Sequence, residues 1–430
     1  MRALVLSLLQ PPRPGVDVHG TYKRMALHVR ALHALGAAIE IVYYVTEQDV
    51  PLTTDLGAAA LAQESEETRY WGFPARVHLI RRRRRPQTFA NYYLHGMINA
   101  AEQPALAAWA GPEQAAAVGD LLDTDPDLVV VNNLHATSAV LRSGRRPRRL
   151  FVDLDDVQHL VRLRWCRQTP RTPGRLLMLS HVPALILAER AAARLAEATF
   201  VCSEADRRHL ARLGLPRLLV VPNAASVPSE APGPAAEPTL LFVGGMGHGP
   251  NHEAAERMVT RIFPIIRRRR PDARLLVAGL DSDRLPSRAG DPPGVEYCGF
   301  VQDIASLYRR TAVFVCPMLN GGGTRIKLLD AAAYGLPIVS TRMGAEGLSL
   351  ADGTHILLRD TDEAFAEACL ELLSDPETSR RIGAAARAIM QGSYDAASVQ
   401  AQLEAVFAGR GRQDDRRIPA ADRRPAYPGV

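Results

Sequence analysis

PMLNGGGTRIKLLDAAAYGLPIVST, residues 317–341, is the stretch on which the reading of this chain turns. An apolar run ending at Cys316 leads into a glycine cluster. Ile326, Leu329 and Ala333 then recur at helical spacing until Gly335 closes the helix, and a second apolar run begins at Ile338. The order is strand, glycine loop, helix, strand. Glycine has no Cβ, so the backbone N–H groups of Gly322, Gly323 and Thr324 can come close to an anion. The helix N-terminus adds partial positive charge there, and Arg325 and Lys327 add two full charges. Such a cluster predicts a cradle for a diphosphate. Lys327 and Asp330 share one side of the helix, with Asp330 at the edge of the apolar stripe; a half-buried carboxylate needs donors, and ribose hydroxyls would serve.

The chain repeats a doubly wound pattern, and its 430 residues are enough for two cores. In the first half, residues 3–9 and 39–45 read as strands around a helix at 22–35, and short apolar runs follow at 128–131, 150–152, 200–202 and 218–221. SVPSEAPGPAAEP, residues 226–238, reads as a linker. The second half restarts with strand 240–243 and helix 253–270, followed by strands 274–278, 295–297 and 313–316. Beyond the glycine motif come strands 338–340 and 355–358 and two or three helices. The expected domains are 1–225 and 239–408, with a disordered tail at 409–430.

Composition narrows the function. Cys166, Cys202, Cys298, Cys316 and Cys369 show neither a pairing rhythm nor C-x-x-C spacing, so they read as small core residues in a reducing cytosol, and no zinc site follows. The opening MRALVLSLLQPPRPG reads as a first strand, since no small-residue cleavage site follows it. No run reaches the roughly 18 uninterrupted apolar residues of a membrane span, which predicts a cytoplasmic protein, at most bound to the inner membrane surface. Lys23 and Lys327 are the only lysines in a chain of net charge +6, so a lysine inside the glycine motif stands out. The arginine block 81–85 suits anionic headgroups, an acidic acceptor or a solvated turn, whereas the block 267–270 complements a helix C-terminus before Pro271. No helix-turn-helix, zinc-finger or aromatic RNA-binding pattern accompanies these arginines, which excludes nucleic acid as the expected partner.

The 317–341 segment resembles the C-terminal-domain signature of the retaining glycosyltransferases of the GT-B fold, family 4 or group 1, in the branch that reads GGGTR-x-K. The resemblance implies an α/β fold of two Rossmann-like, doubly wound domains facing across a cleft, the second holding a nucleotide sugar. Asp330 matches the family's ribose-holding glutamate with one methylene fewer, while Gly322 falls where a sugar-contacting glutamate usually stands. LLFVGGMGHGPNHEA places Gly244, Gly245 and Gly247 where relatives run a loop beneath the donor diphosphate. The arginine and lysine that many relatives carry there are replaced by His248, Pro250 and Asn251, which leaves Arg325 and Lys327 to supply the charge. VEYCGFVQDIASLY and GAEGL, with Glu346, would frame the cleft, and VVPNAASVP would end the first domain.

On the acceptor side the resemblance points to the loop 11–20, with Asp17, His19 and Gly20, and to FVDLDDVQHL, where Asp155 stands for a family histidine and Asp156 matches the aspartate beside it. Asn132, Asn133 and His135 add polar groups at another strand end. Asp153 and Asp155 also spell D-x-D, the metal–diphosphate motif of the other large glycosyltransferase fold, but the GGGTRIK domain argues for a metal-free site. The implied activity is retaining transfer of a sugar from a nucleotide diphosphate sugar, with no further cofactor, to an acceptor that is a glycan, a lipid-linked sugar or a small molecule. The alternative is a catalytically degenerate protein of the same fold that binds a nucleotide sugar or a partner.

Overall fold

The structure is a computed structural model that describes residues 1–7, 20–82, 94–103, 106, 109–168, 172–285 and 293–410. His19, Gly15, Asp17, Arg83 to Arg85 and the tail beyond 410 lie outside the described residues. The chain forms two compact units, one from residues 1–222 with 400 onward and one from 223–399.

Seven parallel strands build the first unit: β1 (Arg2–Leu6), β2 (Ala38–Val45), β3 (Ala75–Arg81), β4 (Leu128–Asn132), β5 (Leu150–Leu154), β6 (Ala198–Val201) and β7 (Leu218–Val220), in the order β3-β2-β1-β4-β5-β6-β7. Every residue of β4 and β5 is buried, as a parallel sheet covered on both faces requires. The edge strand β3 carries Arg76, His78 and Arg81 among its apolar residues. The second unit has β8 (Thr239–Val243), β9 (Arg274–Ala278), β10 (Val295–Gly299), β11 (Val313–Cys316), β12 (Ile338–Ser340) and β13 (Leu357–Leu358), all parallel, in the order β10-β9-β8-β11-β12-β13. Strand order reverses between β1 and β4 in one sheet and between β8 and β11 in the other. At such a reversal the loops leaving the two central strands part to opposite faces and leave a crevice at the carboxyl edge.

Two expectations need correction. Residues 226–238 are no free linker, because they are fastened to the second unit: Gly233 N donates to Tyr334 O (3.3 Å), Ala235 N to Thr311 O (2.9 Å), and the Arg387 guanidinium to the Pro228 carbonyl. Nor does the second unit run to 408. The Ala396–Phe407 helix ends in the first unit, where the Phe407 ring meets Phe151 at 5.1 Å and Gln402 Nε2 donates to Val220 O (2.9 Å). The apolar face of that helix signals burial but not which core it covers. Among the described residues one segment, 173–195, is apolar enough by length and composition to cross a bilayer; it folds as two helices, Pro173–Leu179 and Val182–Leu195.

Candidate nucleotide diphosphate site

In the second unit, the loops that follow β8 and β11 flank the reversal point. Gly244 N donates to Ala278 O (2.9 Å) and Met246 N to Leu280 O (2.9 Å), so the first loop is anchored on the loop after β9. Gly279 has φ 132°, and a Cβ there would lie 2.1 Å from the Gly244 carbonyl oxygen, a backbone-to-backbone approach open only to glycine. A Cβ on Gly244 would lie 2.9 Å from Lys327 Nζ and 2.8 Å from Asn251 Cγ. Position 244 is glycine because two other side chains occupy its space. Gly245 and Gly247 are exposed, with no atom within 4 Å of an added Cβ.

The second loop is fastened at several points. Arg257 bridges Asp362 (Nε to Oδ1, 2.6 Å) and the Pro317 carbonyl (2.9 Å), and the Thr341 hydroxyl donates to Met318 O. Asn223 Nδ2 donates to Thr324 Oγ1 (2.7 Å), and the Asn320 amide to Glu253. The helix begins only at Ile326 and closes at Gly335, whose φ is 72°. Arg325, expected to face a diphosphate, is buried and donates instead to the carbonyls of Gly322, Gly323 and Asn320. In a trans peptide the N–H points opposite to the C=O, so carbonyls drawn onto Arg325 turn the N–H groups of Gly323 and Thr324 to the other face.

Lys327 joins the two loops. Its Nζ donates to Asn251 Oδ1 at 2.7 Å and lies 4.7 Å from the centre of the Phe242 ring. Burial pushes this ammonium down to about 8, with Cys316 opposing the fall and Arg325 adding to it. Among the described residues no carboxylate pairs with it. Asp330 is half-buried one turn on, beside the stacked rings of Tyr308 and Tyr334 (4.8 Å), and its charge adds to the burial that raises Tyr308. Glu346 is half-buried in the turn after β12, where a Cβ on Gly344 would lie 2.3 Å from Ser340 Oγ.

The predicted acceptor-side residues lie in the first unit. Gly20 opens the Gly20–Ala34 helix. His135 follows Asn133, a non-glycine residue at φ 71°, and its Nδ1 lies 2.6 Å from Asn133 Oδ1. Burial, with Arg82 and Arg162 nearby, lowers this histidine to about 4, which keeps it neutral at physiological pH. Asp156 is half-buried on the bend after β5. The D-x-D pair is otherwise engaged. Asp153 is fully buried and takes a two-pronged contact from Arg24 (Nε 2.7 Å, Nη2 2.6 Å) and a third from His28 Nε2 (2.7 Å). Burial alone would raise this carboxyl; Arg24 and His28 outweigh it and hold it down to about 2. Arg24 also approaches Asp155 at 3.8 Å and donates to Val221 O at 2.9 Å.

The sequence reading missed Arg24 and His28, although their i, i+4 spacing on a buried helix face was a usable signal. It also missed a largely buried chain in which Glu189 meets His159 Nδ1 at 2.5 Å and His159 Nε2 meets His209 Nε2, itself partly exposed, at 2.8 Å; no spacing in the sequence announces that chain. Asn251 entered only as a replacement for an absent cation.

Residues 237–375 match the family described as Glycosyl transferases group 1. Over 200 residues the chain is 32% identical to a phosphatidyl-myo-inositol mannosyltransferase of Mycolicibacterium smegmatis, an alignment covering 44% of this chain and 50% of that one. The chain thus spans about half the length of the curated relatives it matches. Among solved structures it is similar to a sucrose-phosphate synthase from Thermosynechococcus elongatus, with TM-score 0.66, 16% identity and coverage of 95% of this chain and 99% of that one. It is also similar to Anabaena HepE in complex with UDP and glucose, with TM-score 0.59, 13% identity and the same two coverages. At those identities the likeness concerns the fold, which is the two-domain, parallel-sheet α/β fold of GT-B glycosyltransferases.

Proposed function

We propose that this protein is a glycosyltransferase that transfers a hexosyl group from a nucleotide diphosphate sugar, with retention, to a glycan or lipid-linked acceptor. The observation that carries the reading is the joining of two glycine loops by Lys327 at the point where strand order reverses. Charge builds on the departing diphosphate as the anomeric carbon becomes oxocarbenium-like, so the largest demand on the protein is preorganised positive charge at the leaving group. Lys327 and the N–H groups of Gly323 and Thr324 meet that demand, and Arg325 serves by fixing the direction of those N–H groups. Asp330 holds the ribose, and Glu346 lines the same sheet edge. The acceptor hydroxyl bonds to the anomeric carbon as the carbon–phosphate-oxygen bond breaks, and its proton passes to the departing phosphate oxygen. A mannosyltransferase relative and a neighbour holding UDP and glucose support a hexosyl donor.

Five cysteines, none in a disulfide and four of them buried, suit a reducing cytoplasm. Peripheral contact with an anionic membrane fits the first unit, where exposed Trp165, Leu176 and Leu187 stand among Arg164, Arg167 and Arg175 on mutually packed helices. Cosedimentation with anionic but not neutral vesicles is the expected result. The test of the activity itself is thermal shift with UDP, GDP and their sugar conjugates, followed by product analysis. One nucleotide should raise the melting temperature and its sugar conjugate should be turned over. Failure of every nucleotide diphosphate to bind would sink the reading.

A further inference from the structure

Asn251 sits in the first turn of the Gly249–Arg257 helix, with its side-chain amide engaged at both ends. Nδ2 donates to the Gly245 carbonyl at 3.0 Å, and Oδ1 accepts from Lys327 Nζ at 2.7 Å. We propose that Asn251 is a positioning residue that latches the two glycine loops together, holding the Lys327 ammonium against the first loop so that both loops grip one nucleoside diphosphate. The inference rests on the donor-binding reading above.

The latch requires an acceptor at one end, facing the ammonium, and a donor at the other, facing a carbonyl. A carboxylate offers only acceptors and would repel the Gly245 carbonyl, whereas a lysine or arginine offers only donors and would repel Lys327. A side-chain amide meets both requirements. The space for it comes from Gly244, where a Cβ would collide with both Asn251 and Lys327. Neutrality is the functional point. An amide oxygen orients the ammonium without cancelling its charge, as a carboxylate would, so the full positive charge is kept for an incoming phosphate. The groups facing the ammonium are the Phe242 ring from β8, Asn251 from the Gly249–Arg257 helix, Cys316 from β11 and Arg325 from its own loop.

The test is calorimetric titration of the full chain with UDP and with GDP between about pH 6 and pH 10, spanning the ordinary range of a perturbed lysine. Wild-type affinity should fall as pH rises through about 8, where Lys327 loses its proton. Asn251→Ala should weaken nucleotide affinity about tenfold, the equivalent of one hydrogen bond to a charged group, and should move the alkaline midpoint to lower pH because the ammonium has lost its acceptor. Asn251→Asp, nearly the same shape, should move that midpoint to higher pH while weakening affinity further; it also serves as the probe if the alanine variant melts early. A merely structural Asn251 would leave the midpoint unmoved in both variants. If Lys327→Ala abolishes binding while the Asn251 variants keep wild-type affinity and midpoint, the latch is overturned and the donor site stands. If Lys327→Ala binds as wild type does, the donor-site reading fails and takes the latch with it.

Discussion

The carboxyl edges of the two sheets each hold a cation near the point where strand order reverses, Arg24 buried and Lys327 partly so, and the two are held in opposite ways. In the first unit Arg24 is met by Asp153 in a two-pronged contact, with His28 and Asp155 adding to the cluster, so its charge is neutralised and spent on joining the Gly20–Ala34 helix, β5 and Val221. In the second unit Lys327 is met by an amide oxygen and an aromatic face. A cation matched by a carboxylate is a rivet, whereas a cation held by neutral groups keeps a field that an anionic ligand can answer. The same fold thus puts a scaffold at one edge and, on the function proposed, a binding site at the other.

The contrast breaks most visibly at Arg24. Arg24→Ala leaves Asp153 buried with only His28 beside it and should destabilise the protein by about 3 to 5 kcal/mol, read as a large fall in melting temperature. The pH dependence has a definite sign. The Asp153 carboxyl is depressed in the folded state, so its contribution is present above its unfolded value near 3.8 and lost as pH falls through about 2. Acid melting of wild type should steepen in that window. Next in size, Lys327→Ala should cost about 2 to 4 kcal/mol of transition-state stabilisation in kcat/KM with the true donor, while the melting temperature barely moves. A smaller loss is expected at Asp330: Asp330→Asn should weaken donor binding by about 1.5 to 3 kcal/mol by calorimetry, and Asp330→Glu, which keeps the carboxylate, should be tolerated. The smallest effect should come from Asp155→Ala and from excess chelator, both of which should leave nucleotide binding intact. Loss of binding in chelator, restored by magnesium or manganese, would move the donor site to the D-x-D pair and erase the contrast.

What the sequence made legible follows from which constraints are local. Glycine loops could be read because a missing Cβ is a property of the residue itself, and Lys327 stood out as one of two lysines. The direction of Arg325 was not legible. It depends on how Gly321 and Gly323, at φ 117° and 64°, curve the loop back over the guanidinium, and a motif does not encode that path. Asn251 was hidden for a different reason: its partner lies 76 positions away, and only the packing of the two loops brings them to 2.7 Å. β3 escaped notice because an edge strand tolerates the arginines and histidine that a central strand would exclude. For the D-x-D run, the pairing of Asp153 with Arg24 was not legible, because the two lie 129 positions apart.

The central claim is that the Lys327-bridged loops of the second unit hold the donor diphosphate, and it is tested most directly by a crystal structure of the protein with bound UDP or GDP. The account predicts a phosphate oxygen at about 2.7 to 2.9 Å from Lys327 Nζ, the diphosphate against the N–H groups of Gly323 and Thr324, and the ribose hydroxyls at Asp330. A nucleotide bound through Asp153 and Asp155, or anywhere that leaves Lys327 facing only Asn251 and Phe242, would contradict it.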